Sequence, residues 1–179
     1  MASNSTIYKA TLQIADMDRQ YYQDHALTVA RHPSETDERV MIRLLAFALH
    51  ASETLAFGRG VGTEDEPALW QKDLTGAIHL WIEVGQPDEK SLRQACGRAT
   101  QVAVYAYGAR SADVWWAKNR PLLDRLENLT VTLLPMESVR ALAALASPSM
   151  RLQWTIQDGH LWIADDTQNV HIELQRLKM

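Results

Sequence analysis

Ala77-Ile78-His79-Leu80-Trp81-Ile82-Glu83-Val84 is the stretch on which the fold turns. Its residues are branched and aromatic and apolar on both alternating faces, which is the pattern of a strand covered on two sides. It reads as the central strand. Downstream, Pro87 and Asp88 begin a helix with Leu92, Ala95, Cys96 and Ala99 on one side, and Val102, Val104 and Tyr105 form another buried strand. A second strand-helix-strand step follows, with a helix from Ser111 to about Arg120 that carries Val114, Trp115 and Trp116. Leu129-Thr130-Val131-Thr132-Leu133-Leu134 is then a short β-run stopped by Pro135.

Upstream of the central strand, Gly58, Gly60 and Gly62 and the acidic Glu64-Asp65-Glu66-Pro67 mark a loop or strand end. Before them Val40, Leu44, Phe47 and Ala51 recur at helical spacing to about Ser52. Pro33 ends the preceding strand, and Ser34 with Asp37 three residues on makes a capping-box pattern. Tyr8, Ala10, Leu12 and Ile14 alternate with Lys9, Thr11 and Gln13. The polar Asp16-Met17-Asp18-Arg19 turns the chain, and a second strand runs from Tyr21 to Ala30. At the other end, Met136 to Ala146 is helical. Leu152–Ile156 and Leu161–Ala164 flank an Asp158-Gly159 hairpin turn, and a last strand runs from Val170 to Leu174. The ordering predicts a mixed α/β fold with antiparallel hairpins at both ends, as a single domain over residues 1–179.

Composition narrows the class. With 179 residues, 46% hydrophobic and 22% charged, the chain can bury an ordinary core without staples, and its one cysteine, Cys96, cannot form an internal disulfide. A reducing, cytoplasmic setting is expected. The uncharged stretch Ala99 to Ala109 falls well short of the ~20 residues a membrane helix needs, and the first residues lack the order of a signal peptide. Eighteen basic against 22 acidic residues give a net charge of −4, so no general electrostatic grip on nucleic acid is present. A local patch remains open, with Arg31, Arg39, Arg93 and Arg110 near the ends of elements.

Familiar catalytic patterns are missing: no glycine-rich phosphate loop, no nucleophile elbow, no paired cysteines and no H-E-x-x-H. His25, His32, His50, His79, His160 and His171 show no ligand-like spacing and read as ordinary surface or core histidines. The carboxylates say more. Glu83 shares the face of His79 and Trp81, and a charge inside that apolar run needs an arginine or lysine, a metal or a shifted pKa. Asp73, ten residues upstream, lies where a turn could bring it back against Glu83, and two converging acids make a site for Mg²⁺. Glu38 falls between the Leu45 and Leu49 positions at the edge of its helix's buried sector, though an acid in the first turn also complements the helix dipole. For Asp73 a turn role competes with a site role, and for Glu83 the rival is an ion pair with a neighbouring arginine.

Longer words of sequence carry a resemblance. Arg31-His32-Pro33-Ser34-Glu35-Thr36 leading into Glu38-Arg39, Asp65-Glu66-Pro67, Leu80 to Pro87, Trp115-Trp116 and Thr155-Ile156-Gln157-Asp158-Gly159 closely resemble the bacterial YaeQ family over almost the whole chain. The resemblance implies a compact variant of the PD-(D/E)xK restriction-endonuclease-like core, a mixed sheet flanked by helices. On that pattern Asp73 stands for the aspartate, Glu83 for the acid of the E-x-K element and Glu38 for a helix-borne acid. The lysine is replaced by Gly85, with Gln86 and Lys90 as the nearest substitutes. In that chemistry the acids hold Mg²⁺ or Mn²⁺, the metal activates water, and the lysine stabilises charge as the phosphodiester breaks.

Two functions follow as expectations. One is a metal-dependent phosphodiesterase or nuclease with Asp73, Glu83 and Glu38 as ligands and Gln86 or Lys90 orienting water. The other is a catalytically inactive binding or regulatory scaffold that engages a protein or, weakly and through local basic residues, a nucleic acid.

Overall fold

The computed structural model describes residues 5–59 and 65–179. The chain opens with strand β1 (Thr6–Asp16) and strand β2 (Tyr21–Arg31), paired antiparallel without a break from Thr6↔Arg31 to Asp16↔Tyr21. The turn is tied by Asp16, whose Oδ1 accepts from the backbone N–H groups of Asp18 and Arg19 and whose Oδ2 accepts from Arg19 Nε at 2.8 Å. Helix α1 (Asp37–His50) follows, with Val40 to Ala48 all buried. Its cap differs from the expected one: Thr36 Oγ1 accepts from Arg39 N, while Ser34 bonds its neighbour His32. Thr36 is the last residue before the helical turn, so its hydroxyl meets the orphan N–H groups that Ser34 cannot reach.

Strands β3 (Leu55–Phe57), β4 (Leu69–Lys72) and β5 (Ile78–Val84) come next, then helix α2 (Glu89–Arg98), strand β6 (Ala99–Ala106), helix α3 (Arg110–Leu123) and strand β7 (Leu129–Leu133). Helix α4 (Met136–Ala143) leads to β8 (Ser149–Gln157), β9 (His160–Ala164), β10 (Asn169–Glu173) and β11 (Gln175–Lys178). Of the glycine-rich segment read as a loop, Gly60 and Gly62 lie outside the described residues. The short strands β3, β4 and β11 have no counterpart in the sequence reading, because three or four residues give alternation too little length to register.

Two compact units result, one from Met1–His50 with Glu137–Leu174, the other from Ala51–Met136 with Gln175–Met179. The first holds a mixed sheet in the order β10-β9-β8-β1-β2. Its expected terminal hairpins are both present, and β1 also runs parallel to β8, from Lys9↔Ser149 to Asp16↔Ile156. Leu12, Ile14, Leu152, Trp154, Leu161 and Ile163 are buried, and the residues between them face outward. At the β8–β9 turn Asp158 and Gly159 both have positive φ, as a primed hairpin turn requires.

The second unit holds a mixed sheet in the order β11-β7-β6-β5-β4-β3. Strands β5, β6 and β7 are parallel, and antiparallel strands lie on either side of them. The expected crossovers are α2 and α3. They pack Leu92, Ala95, Trp115 and Leu123 on Trp81, Val102, Val104 and Val131, while half-buried Cys96 and Trp116 sit against that core. Burial pushes the Cys96 thiol up, so it is the less reactive protonated form that packs there.

Candidate anion-binding cleft

Asp73 caps the tight connection from β4 to β5. Its Oδ1 accepts from Thr75 N at 2.8 Å, Thr75 Oγ1 at 2.6 Å and Ala77 N at 3.0 Å, and Oδ2 lies 3.2 Å from His79 Nε2. These hydrogen bonds, the Thr75 hydroxyl first, hold its carboxyl below the usual carboxylate range. Glu83 stands at the other end of β5, five residues beyond Ile78 and so roughly 16 Å away along the strand at ~3.3 Å per residue. Its Oε1 accepts from Trp81 Nε1 at 2.7 Å. The structure therefore does not bring Asp73 and Glu83 together. Glu38 belongs to the first unit, half-buried in the first turn of α1. Among the described residues no group of three or more histidine, cysteine, aspartate or glutamate side chains gathers to hold a metal, so the expected ligand set does not fit Mg²⁺ as arranged here.

The deeply buried carboxylate is a different one. Glu35, 4% exposed, accepts from Arg43 Nη2 at 2.7 Å through Oε1 and pairs with Arg39 through Oε2. Arg31 Nε donates to the Glu35 carbonyl at 2.8 Å, and Arg43 Nη2 also donates to Ala30 O. Arg31 and Arg39, two of the four arginines expected to meet nucleic acid, are thus committed to tying the β2–α1 connection. Burial presses Arg43 down from its ordinary pKa, with Glu35 opposing.

Gln86, Lys90, Arg93 and Arg110 do come together. Strand β5 ends at Val84, and Gly85 turns the chain with φ +111° while its N–H bonds Tyr105 O at 2.9 Å. L side chains rarely adopt that φ, which is a physical reason for a glycine at this position. Gln86 then reaches across to the β6–α3 loop, donating through Nε2 to Tyr107 O at 3.0 Å and Ser111 Oγ at 2.8 Å. Trp115 Nε1 donates to Pro87 O at 2.7 Å and closes the floor. Between the first turns of α2 and α3 this leaves an open cleft of about 910 Å³, lined by Gln86, Asp88, Glu89, Lys90, Arg93, Arg110, Ser111, Val114, Trp115, Lys118 and Asn119.

Four cations line it against two carboxylates, and both carboxylates are engaged. Asp88 caps α2, accepting from Ser91 N at 2.7 Å, a bond that also lowers its pKa, and Glu89 pairs with Arg93 at 3.6 Å. On a chain of net charge −4 this is a local reversal of sign. The sequence reading named Gln86, Lys90, Arg93 and Arg110 but not Ser111, Lys118 or Asn119. The available signal was the i, i+4, i+8 spacing of Arg110, Val114 and Lys118, one face of α3 that is wet and basic rather than buried.

A mixed α/β protein with two mixed sheets, and a cleft lined by basic residues at the C-terminal ends of parallel strands, is the class these features define. The chain belongs to the YaeQ family: the family model "YaeQ protein" matches residues 1–174. It is 45% identical over 174 residues to the Escherichia coli K12 protein described as "Uncharacterized protein YaeQ", a match that covers 97% of this chain and 96% of the relative. The Salmonella typhi protein of the same description matches equally well. Among solved structures it resembles the YaeQ protein from Xanthomonas axonopodis pv. citri, with 46% identity, TM-score 0.95, and 98% and 99% of the two chains covered. It also resembles YaeQ from Pseudomonas syringae, with 39% identity, TM-score 0.95, and 99% and 98% covered.

Proposed function

We propose that the protein is a binding module for phosphate-bearing ligands, single-stranded nucleic acid above all, and that the α2–α3 cleft is where it binds. The observation that carries this reading is the convergence of Lys90, Arg93, Arg110 and Lys118 on one cleft whose carboxylates are already engaged. Of the two residues that the PD-(D/E)xK resemblance casts as stand-ins for a catalytic lysine, Lys90 acts in this reading as a phosphate-facing donor, while Gln86, with both amide hydrogens given to Tyr107 O and Ser111 Oγ, fixes the shape of the cleft. The exposed methyls of Val114 offer apolar contact beside them, above the buried Trp115. Of the two functions expected from the sequence, this is the scaffold. The separation of Asp73 from Glu83 along β5 weighs against the metal-dependent hydrolase.

The test is a titration of a labelled single-stranded oligonucleotide at several salt concentrations, with and without Mg²⁺ or Mn²⁺. Three or four phosphate contacts imply a slope of log K against log[salt] of roughly −2 to −3. The double variant Arg110→Glu, Lys118→Glu should bind at least tenfold more weakly with an unchanged melting temperature. No binding by the wild type at low salt sinks the reading. Metal-dependent cleavage that disappears in Glu83→Gln would restore the hydrolase.

A further inference from the structure

His160 and His171 are eleven residues apart in the chain, and the β9–β10 hairpin makes them neighbours. In its register His160 faces Glu173 and His171 faces Trp162, so the two imidazoles rise as a diagonal pair on the outward face of the sheet. His160 Nδ1 lies 2.8 Å from His171 Nε2, and the rings are within 5° of parallel. Trp162 stacks against both, at centroid distances of 5.8 and 5.2 Å.

We infer that His160 and His171 form a two-nitrogen site for a divalent transition-metal ion, of the copper, nickel and zinc class. Two nitrogens bound ~2.0–2.1 Å from one ion in adjacent positions at right angles lie about 2.8–3.0 Å apart, which is the separation already present. In the hydrogen-bonded pair one nitrogen carries the shared proton. Moving that proton to the far nitrogen of the same ring and turning the exposed rings frees both lone pairs toward a common point, with no net proton change. Paired strands fix the backbone beneath both residues, and Trp162 limits the directions in which the rings can swing. Imidazole nitrogen suits copper, nickel and zinc and not magnesium. Two protein ligands leave the remaining positions to water, and the Glu173 carboxylate adds negative charge on the same face of the hairpin.

Trp162 also makes the site measurable, because bound Cu²⁺ quenches a ring stacked on its ligands. Tag-free protein titrated with Cu²⁺, Ni²⁺, Zn²⁺ and Mg²⁺ should take up one equivalent, with Cu²⁺ tightest as the Irving–Williams order requires and Mg²⁺ inert. His160→Asn and His171→Asn should each weaken Cu²⁺ binding at least tenfold. Trp162→Phe should lose the fluorescence change and keep the calorimetric binding, and His79→Asn should behave as wild type. Undiminished Cu²⁺ affinity in His171→Asn overturns the site, as does the absence of stoichiometric uptake by the wild type. Both histidines lie on the outer face of the hairpin, and a melting curve for each variant separates loss of ligand from loss of fold.

Discussion

His50, the last residue of α1, is held at a pKa of about 4. Burial is the main cause, the Arg19 guanidinium adds repulsion, and Asp16 opposes both. An unfolded chain protonates this ring near pH 6.5, so between those values the unfolded state binds more protons. Stability should therefore fall as pH drops from about 6.5 to 4 and stop responding to this group below 4. Its share is on the order of 2–3 kcal/mol, and urea midpoints measured across that window should flatten in His50→Gln. The Glu35 pair predicts a larger effect: Glu35→Gln leaves Arg43, 2% exposed, without its counter-charge and should cost about 3–5 kcal/mol in denaturant unfolding. The sequence drew attention to Glu83, as a metal ligand or half of an ion pair, because that residue lies in an apolar strand. Glu35 sits in a polar connection, and only the Glu35, Arg39, Arg43 spacing of one helical face hinted that two guanidiniums turn back toward it.

Helix α3 begins on a strained residue. Ala109 takes φ 52° and ψ −124°, a conformation that costs a non-glycine residue ~1–3 kcal/mol, and no side chain caps the helix. Ala109→Gly should therefore raise the melting temperature by a few degrees, since ~1 kcal/mol moves it by about 2–4 °C in a chain of this size. The adjacent Gly108 has the opposite sensitivity. A Cβ there would meet Gln86 Nε2 at 2.5 Å and Ser111 Oγ at 2.7 Å, so Gly108→Ala should displace Gln86, destabilise the fold and weaken oligonucleotide binding together. The longer elements were legible because each carries a clear period: the β1–β2 hairpin, α1, β5 and the Asp158-Gly159 turn all stand where alternation, helical spacing and turn chemistry place them. The cap on α1 and the strands β3, β4 and β11 were not, because one hydroxyl or three residues decide them. The His160–His171 pair was invisible for another reason: sequence distance hides what a cross-strand register joins.

Neither unit is a single run of chain. Strand β11 closes the β7 side of the second sheet after the chain has completed the first, and Leu177 packs against that second core. Removing Gln175–Met179 should cost roughly 1–2 kcal/mol of burial and leave β7 as a bare edge, which a melting curve and light scattering at rising protein concentration would detect. The mixed class and the order of elements followed from the sequence, whereas the parallel joining of β1 to β8 did not, since nothing local records a partner about 140 residues away. That pairing has a consequence for how the protein is made. Leu12 leaves the ribosome long before Leu152, its neighbour across the sheet, and at ~5–20 residues per second the wait is on the order of ten seconds or more. Through that interval the β1–β2 hairpin has one β1 edge open and an apolar face without its β8 partners. Until its C-terminal strands emerge, the newborn chain therefore carries an open strand edge on which another chain could pair.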